Sequence, residues 1–369
     1  MKQNLAIIGA SYLQLPLIEK AKEMGYVTHV FAWAAGDVGE TAADYFYPIS
    51  IVEKEQILQK CREIGICGIC SIGSDLAMVA VNYVAEQLGL AGNTVAATAK
   101  STNKHLMRRA FEVHGDPSPK SILVDETTDL ETLELAYPVI VKPVDRSGSR
   151  GIHKLMEPSG LKEAVRSAME QGFEKKALVE EFAEGQEYSV EYISFRGEHY
   201  FLALTHKYTT GAPHFIETGH LEPAPVSAEV LNRVKAVVSH ALNSLELKNG
   251  ASHTELKIAP DGTIRLIEIG GRMGGDCIGS DLVRYSTGYD FVKMVVDVAC
   301  GNEPDFSKVC EPQPVAVQFI FTNKDMAAYQ KMQTEEPERI LKVAYMHPEN
   351  IGSITDSSNR AGCYIYRPE

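Results

Sequence analysis

His253-Thr254-Glu255-Leu256-Lys257-Ile258-Ala259-Pro260-Asp261-Gly262-Thr263-Ile264-Arg265-Leu266-Ile267-Glu268-Ile269 reads as two strands about a turn. Asp261-Gly262 is a two-residue hairpin turn, which pairs Pro260 with Thr263 and, counting back, sets Glu255 opposite Glu268. Like charges facing each other destabilise a sheet, so the placement makes sense if a divalent cation lies between them. Oxygen ligands alone suit magnesium or manganese carrying substrate phosphates. Two other readings stay open. Ala259-Pro260-Asp261-Gly262 also fits a type I turn with a bulge, which slips the pairing by one residue, and the glutamates could simply be solvated on an edge. Directly downstream, Gly270-Gly271-Arg272-Met273-Gly274-Gly275-Asp276 flanks an arginine with glycines. Tight turns there leave Arg272 free to meet a phosphoryl group or carboxylate with its fork, unless it serves a surface ion pair.

Moving upstream, the apolar run Val139 to Val141 ends in Lys142, and the loop Asp145-Arg146-Ser147-Gly148-Ser149-Arg150-Gly151 follows it. A lysine there is costly unless an anion or carboxylate meets it or its ammonium snorkels out. The small residues of the loop let backbone N–H groups approach phosphates, although such a loop can also be a plain connector.

Around these motifs the chain changes its grammar. The first hundred residues alternate strands (Leu5 to Ile8, Val27 to Trp33, Gly65 to Ser71) with helices (Leu15 to Met24, Glu53 to Glu63, Leu76 to Leu88), which implies a small parallel sheet covered on both faces. From Ser101 onward come a helix over Thr102 to Val113, a strand over Ser121 to Val124, a helix around Leu130 to Ala136, a helix over Gly160 to Glu170 and a strand over Ala177 to Glu181. Antiparallel signals follow in Glu187 to Phe195 and Glu198 to Leu204, then a long helix over Ala228 to Leu245. The weakly patterned tail after Gly301 suggests a small cap. No G-x-G-x-x-G surrounds Gly9 and no Walker P-loop occurs, so a dinucleotide oxidoreductase is disfavoured.

Composition narrows the class further. At roughly 150 residues per domain, 369 residues make two to three domains. A net charge of −13, from 49 acidic and 36 basic residues, disfavours nucleic acid or an anionic membrane as a bulk partner. No apolar run reaches the roughly 18 residues of a membrane span, the N-terminus reads as a strand rather than a signal peptide, and seven cysteines suit a reducing compartment, so a cytoplasmic address is expected. Cys67 and Cys70 form a C-x-x-C whose odd spacing on a strand puts the thiols on opposite faces; buried small hydrophobes are the expectation, with redox or metal chemistry as the alternative.

The ordered set Lys104, Pro138-Val139-Ile140-Val141-Lys142-Pro143, the Ser147 to Gly151 loop, Val179-Glu180-Glu181-Phe182, Glu187, Glu255 and Glu268 with Arg272 resembles the ATP-grasp superfamily, and within it the carboxylate-amine ligases of the L-amino acid (dipeptide) ligase type. The resemblance runs from about residue 5 to about 300. It implies an α/β and α+β protein: an N-terminal parallel α/β domain over 1–100, a central ATP-grasp subdomain with the phosphate loop over 101–186, and a C-terminal subdomain with the metal site and cap over 187–369. It further implies that Lys104 and Lys142 hold the α- and β-phosphates of ATP and that Ser147, Gly148, Ser149 and Gly151 close over the γ-phosphate. Glu180 and the backbone around Glu181 and Phe182 would meet the adenine edge, and Glu187 the ribose. Glu255 and Glu268 would ligate Mg2+ (or Mn2+), and Arg272 would stabilise the transferring phosphoryl group. Pro213 to His220 resembles a stretch lining the amino-acid pocket, which makes Glu217 and His220 substrate-site candidates, His220 as a base toward the incoming ammonium. Gly270 stands where many members have an asparagine ligand, so a second metal is in doubt. Asp276 adds a negative charge that favours an amino-bearing substrate. The implied reaction joins a small carboxylate to an amine through an acyl phosphate, with a homodimer plausible; the rivals are a thiol or purine-pathway amine acceptor and a non-catalytic nucleotide-binding regulator.

Overall fold

The structure is a computed structural model that describes residues 2–146, 148, 150–211, 216–352 and 360–369. Among them, three sheets organise the chain. The first is parallel, in the order Tyr45–Tyr47, Val27–Phe31, Asn4–Ile8, Gly68–Cys70. Its central strand is buried on both faces, as a parallel sheet requires. Leu5 and Ile7 pack with Leu17, Ile18 and Ala21, whereas Ala6 and Ile8 pack with Ile57, Leu58 and the helix Asp75–Leu88. That helix starts where the Ser74 hydroxyl accepts the Ala77 N–H and stops at Gly89, whose φ of 66° only glycine adopts cheaply.

Asn103 divides the helix expected over Thr102 to Val113. Its extended backbone ends Val95–Thr102, and its side chain accepts the N–H groups of His105 and Leu106 to start Lys104–His114. The helix expected around Leu130 to Ala136 is only one 3-10 turn, Leu130–Thr132. Pro138 disfavours helical backbone at Tyr137, and Leu130, Leu133 and Leu135 instead cover the apolar side of the helix Leu161–Gln171. The second sheet, ordered Ser121–Val124, Ala177–Glu181, Val139–Pro143, His153–Leu155, is antiparallel and carries Lys142 and Glu180 on neighbouring strands.

The third sheet has eight strands: Ile264–Gly270, Gly250–Ile258, Gln186–Phe195, Glu198–Thr209, Glu217–Glu222, Val315–Ile320, Gly362–Tyr366, Ile340–Met346. The tail therefore joins the central sheet instead of forming a separate cap. Its weak patterning has a physical source, since the outermost strand Ile340–Met346 is half exposed along its length. Val190, Tyr192, Leu204, Leu256 and Leu266 bury one face of the sheet under the helix Ala228–Ser244. The opposite face is polar where it carries Glu187, Ser189 and Glu191, and apolar where Ile193, Phe195, Ala203 and Ala251 pack with the helix Phe291–Ala299.

Cys70 is buried and burial pushes its thiol up to about 12, while half-buried Cys67 lies 3.8 Å from the Cys300 sulfur. Among the described residues no cluster of His, Cys, Asp or Glu is arranged to hold a metal by itself, and no helix is long and apolar enough to cross a membrane.

Candidate active site

The floor of the site is the polar face of the eight-stranded sheet. Strand alternation puts Glu187, Ser189 and Glu191 on one side, in register with Thr205, His253 and Glu255 of the flanking strands, and Lys207 shares the face of Thr205. Glu255 does pair with Glu268, but by two departures from the simple hairpin that cancel. The turn spans Ala259 to Gly262, closed by hydrogen bonds between Gly262 N–H and Ala259 O (2.8 Å) and Ala259 N–H and Thr263 O (2.9 Å), so the ladder starts with Ile258 opposite Ile264. That slip would put Glu255 opposite Ile267. A bulge beyond the Leu256–Leu266 pair adds one residue and returns Glu268 to the polar face.

A bulge also brings Glu217 and His220 together. At odd spacing they would face opposite sides of a regular strand. The register passes from His220 opposite Lys207 to Glu217 opposite Thr209, skipping one residue, so both share the face of Lys207.

The two glutamates are not bare charges awaiting a cation. Lys207 Nζ donates to Glu255 Oε1 at 2.8 Å, and Lys104 Nζ to Glu268 Oε1 at 2.7 Å. Burial would raise the Glu255 carboxyl, but the Lys207 ammonium and His253 hold it well below the usual range. Burial would lower Lys207, and Glu255, Glu187 (3.2 Å) and Glu217 (3.5 Å) hold it well above. Each glutamate of the pair keeps its Oε2 without a partner among the described residues. Free carboxylate oxygens on two paired residues lining one cavity suit an ion that brings most of its ligands with it, as magnesium does on a nucleotide.

Above the floor, Lys142 is 3% exposed and meets Glu180 at 2.5 Å, with Arg108 on the other carboxylate oxygen at 3.1 Å. The lysine thus meets a carboxylate rather than snorkelling out. Burial holds Lys142 below its ordinary range despite Glu180; against burial, Arg108 and Lys142 hold Glu180 below its own. The Glu180 carboxylate is therefore committed to the fold beside the cavity it lines. Lys104 Nζ also donates to the Arg146 carbonyl at 2.7 Å, tying the phosphate-type loop to the metal-type glutamate. The N–H groups of Glu181 and Phe182 donate to Lys120 O and Pro138 O, so these backbone donors are spent within the protein. Lys154 and Lys257 flank the Phe182 ring, with nitrogens 3.5 and 4.8 Å from its centroid.

Arg272 is not free. Its Nε and Nη2 each lie 3.0 Å from an oxygen of Asp75, at the start of the helix on the parallel sheet. Against burial, that carboxylate keeps the guanidinium firmly charged.

One cavity is lined by Lys104, Lys142, Gly148, Glu180, Glu181, Phe182, Glu187, Glu217, Glu255, Glu268 and Arg272. Gly151 closes the loop with φ 69°, a Cβ there meeting Pro143 and Gln171 at 3.1–3.2 Å. Ser147, Ser149 and 213–215 lie outside the described residues. His220 does not line this cavity. It is 1% exposed, edge-on to Phe319, and burial with the Lys207 charge presses its imidazole down to about 3, so it is neutral.

Sequence reasoning missed Arg108, Lys207, Asp75, Glu191 and His253. Arg108 was findable, because spacing by four from Lys104 on a helix puts both on one face. So was Lys207, had the strand been carried past Leu204, since it continues the alternating row Ala203, Thr205. Glu191, whose carboxylate accepts from Gly274 N–H (3.0 Å) and bonds His253 Nδ1, had no such signal, nor had Asp75.

Residues 135–281 match the ATP-grasp domain family. The chain contains an ATP-grasp domain. Alanine–anticapsin ligase of Bacillus subtilis is 26% identical over 318 residues, covering 76% of this chain and 67% of that one. D-alanine–D-alanine ligase of Aromatoleum aromaticum is 30% identical over 183 residues, 48% of this chain and 58% of that one. Among solved structures, L-amino acid ligase from Bacillus licheniformis superposes with a TM-score of 0.81 at 22% identity, over 99% of this chain and 93% of that one. Phosphoribosylglycinamide synthetase from Anaerococcus prevotii gives 0.78 at 22%, over 99% and 94%. These superpositions establish the ATP-grasp fold across almost the whole length.

Proposed function

We propose that this ATP-grasp protein is an ATP-dependent, ADP-forming ligase that activates a small carboxylate, of the amino-acid type, and joins it to an amine. The observation that carries the reading is the meeting of Lys104, Lys142, Glu255, Glu268 and Arg272 in one cavity. Relatives named for joining alanine to another amino acid or to anticapsin support the substrate class.

In this reading Lys104 and Lys142 cradle the α- and β-phosphates, the Ser147–Gly151 loop covers the γ-phosphate, and Glu187 takes the ribose hydroxyls. The adenine lies against the Glu180–Phe182 segment. Because the Glu181 and Phe182 N–H groups are engaged, its edge meets the remaining backbone groups there and at Ala183. The free oxygens of Glu255 and Glu268 would hold a magnesium or manganese ion, which when bound supplies positive charge against the phosphates.

A substrate carboxylate oxygen attacks the γ-phosphorus, the bond to the β-γ bridging oxygen breaks, and ADP leaves. Arg272, held in place by Asp75 before substrate arrives, stabilises the charge on the transferring group without reorganising. The amine nitrogen then attacks the acyl carbon, inorganic phosphate departs, and the proton the amine gives up passes to Glu217, which lines the cavity; buried, neutral His220 lies behind it and takes no proton. Covering the phosphates keeps water from the mixed anhydride.

A screen of ADP release over paired amino acids and other small carboxylates and amines, with product masses, tests this. Turnover that needs both partners and yields their amide is expected. ADP release with no carboxylate–amine pair would remove the reading, and turnover only with a purine-type amine would redirect it.

A further inference from the structure

A second cavity lies on the far side of the glycine loop that follows Arg272, between the first βα connection, that loop and the tail strands, and Tyr12, Glu19, Asp276, Asp281, Lys342 and Tyr345 line it. Lys342 neutralises Asp281 at 2.7 Å, and Glu19 has no cationic partner among the described residues. A tail side chain, Arg360, 0% exposed, bridges the linings of this cavity and the nucleotide cavity. Its Nη1 reaches Asp276 Oδ2 at 2.8 Å and its Nη2 reaches Glu217 Oε2 at 2.9 Å, so one fork holds a carboxylate from each cavity. The guanidinium stacks on Phe319 with Cζ 3.7 Å from the ring centroid. Backbone bonds from Ala361 N–H to Ile320 O (2.9 Å) and from His347 N–H to Ala361 O (2.7 Å) anchor its base.

The loop it grips is strained. Asp276 and Cys277 have φ of 50° and 65°, consecutive non-glycine residues in the left-handed region. Such residues persist only when their surroundings over-determine them. The Arg360 fork restrains the Asp276 side chain, and Glu191 holds the Gly274 N–H two residues earlier at 3.0 Å. A buried arginine costs desolvation that an apolar side chain would avoid, and here that cost orders a loop shared by two cavities.

We propose that Arg360 is a positioning residue: by clamping Asp276 of the second cavity to Glu217 of the nucleotide cavity it fixes the acidic boundary the two share, at which the amine substrate is received. This rests on the ligase reading for the substrate's identity. The positioning itself does not.

The test uses the full chain carrying Arg360→Met, Arg360→Lys and, as a gentler change that leaves the tail's own contacts alone, Asp276→Asn. Hydrogen exchange of the amides from Gly274 to Asp281 is expected to quicken at least tenfold in Arg360→Met at conditions where it stays folded, and about threefold in Asp276→Asn. Unchanged exchange in both overturns the clamp whether or not any substrate pair turns over. In turnover, the KM for the amine is expected to rise at least tenfold in Arg360→Met while the KM for ATP stays within twofold. Arg360→Lys should fail to restore it, because one ammonium cannot hold both carboxylates in fork geometry. Equal rises for ATP and amine, or full rescue by lysine, overturn the assignment. Absence of turnover in the wild type with every pair overturns the ligase reading, while exchange still decides the clamp.

Discussion

The nucleotide cavity and the second cavity handle charge in opposite ways. In the first, most charged groups already have an opposite: Lys104 with Glu268, Lys142 with Glu180 and Arg108 around them, Lys207 with Glu255, Arg272 with Asp75. On the proposed reading, the cations that are to meet phosphate wait in position, held by carboxylates that, Asp75 apart, line the cavity, and little reorganisation is left for the reaction. The second cavity has an acidic excess, and among the described residues one buried arginine from the tail is all that backs Asp276. If the two proposals hold, a site for a polyanion is built as balanced pairs, and a site for a cation as acids left partly unpaired.

The sharpest way to break this contrast is to remove the groups assigned to phosphoryl transfer. Arg272→Ala and Glu268→Gln should each lower turnover by at least about a hundredfold, as expected for one lost transition-state partner. Near-normal rates of ADP release in either variant would take that residue out of the mechanism. Next in size is the Lys142–Glu180 pair. Lys142→Met should weaken ATP binding by roughly ten- to a hundredfold and destabilise the protein by about 3–5 kcal/mol, because Glu180 loses one of its two cations. Adding Glu180→Gln should restore much of the stability but not the ATP affinity, read by thermal unfolding and nucleotide titration. If both recover together, Lys142 serves the fold and not the phosphates.

Asp75→Asn sharpens the comparison from outside the sheet, since it only unlocks Arg272. We expect about a tenfold fall in kcat, as for a displaced rather than missing group, with KM for ATP little changed; a loss as large as that of Arg272→Ala would mean that Asp75 itself touches the reacting atoms.

The smallest effect concerns Glu222, buried on the same polar face and bonded to Thr205 and, at 2.5 Å, to Ser286. Burial pushes its carboxyl up to about 7. A carboxyl raised in the folded state contributes stability that is complete below its unfolded value and lost as pH rises toward the folded one. Wild-type stability should therefore fall between about pH 4.5 and 7, by on the order of 1–3 kcal/mol from this group. Glu222→Gln should flatten that slope with no change in KM for ATP, as urea unfolding at pH 5 and pH 8 would read; an unchanged slope means the carboxyl is ionised throughout.

Legibility followed the range of the interaction. The facing of Glu255 and Glu268 was readable because alternation and a turn are local, although the correct pairing emerged through a turn shift and a bulge that offset each other. Lys142 announced itself by ending an apolar run. Glu217 and His220 were found together only through family resemblance, for their odd spacing on a strand argues against a shared face until the bulge is seen. Arg272 was legible as a functional arginine, but its partner is 197 residues away and belongs to another sheet's helix. The tail looked like an appendage because its outer strand is half exposed, and an edge strand lacks the clean alternation of a central one.

By itself the sequence determined the parallel and antiparallel halves, the phosphate-type loop, the carboxylate pair and the order of these motifs, since each is encoded within a few residues by period, turn chemistry and charge. Tertiary structure alone decided which opposite charge each buried group meets, and that Arg360 bridges the linings of two cavities. Ion pairing between distant segments depends on where whole sheets come to lie, and no spacing along the chain carries that information.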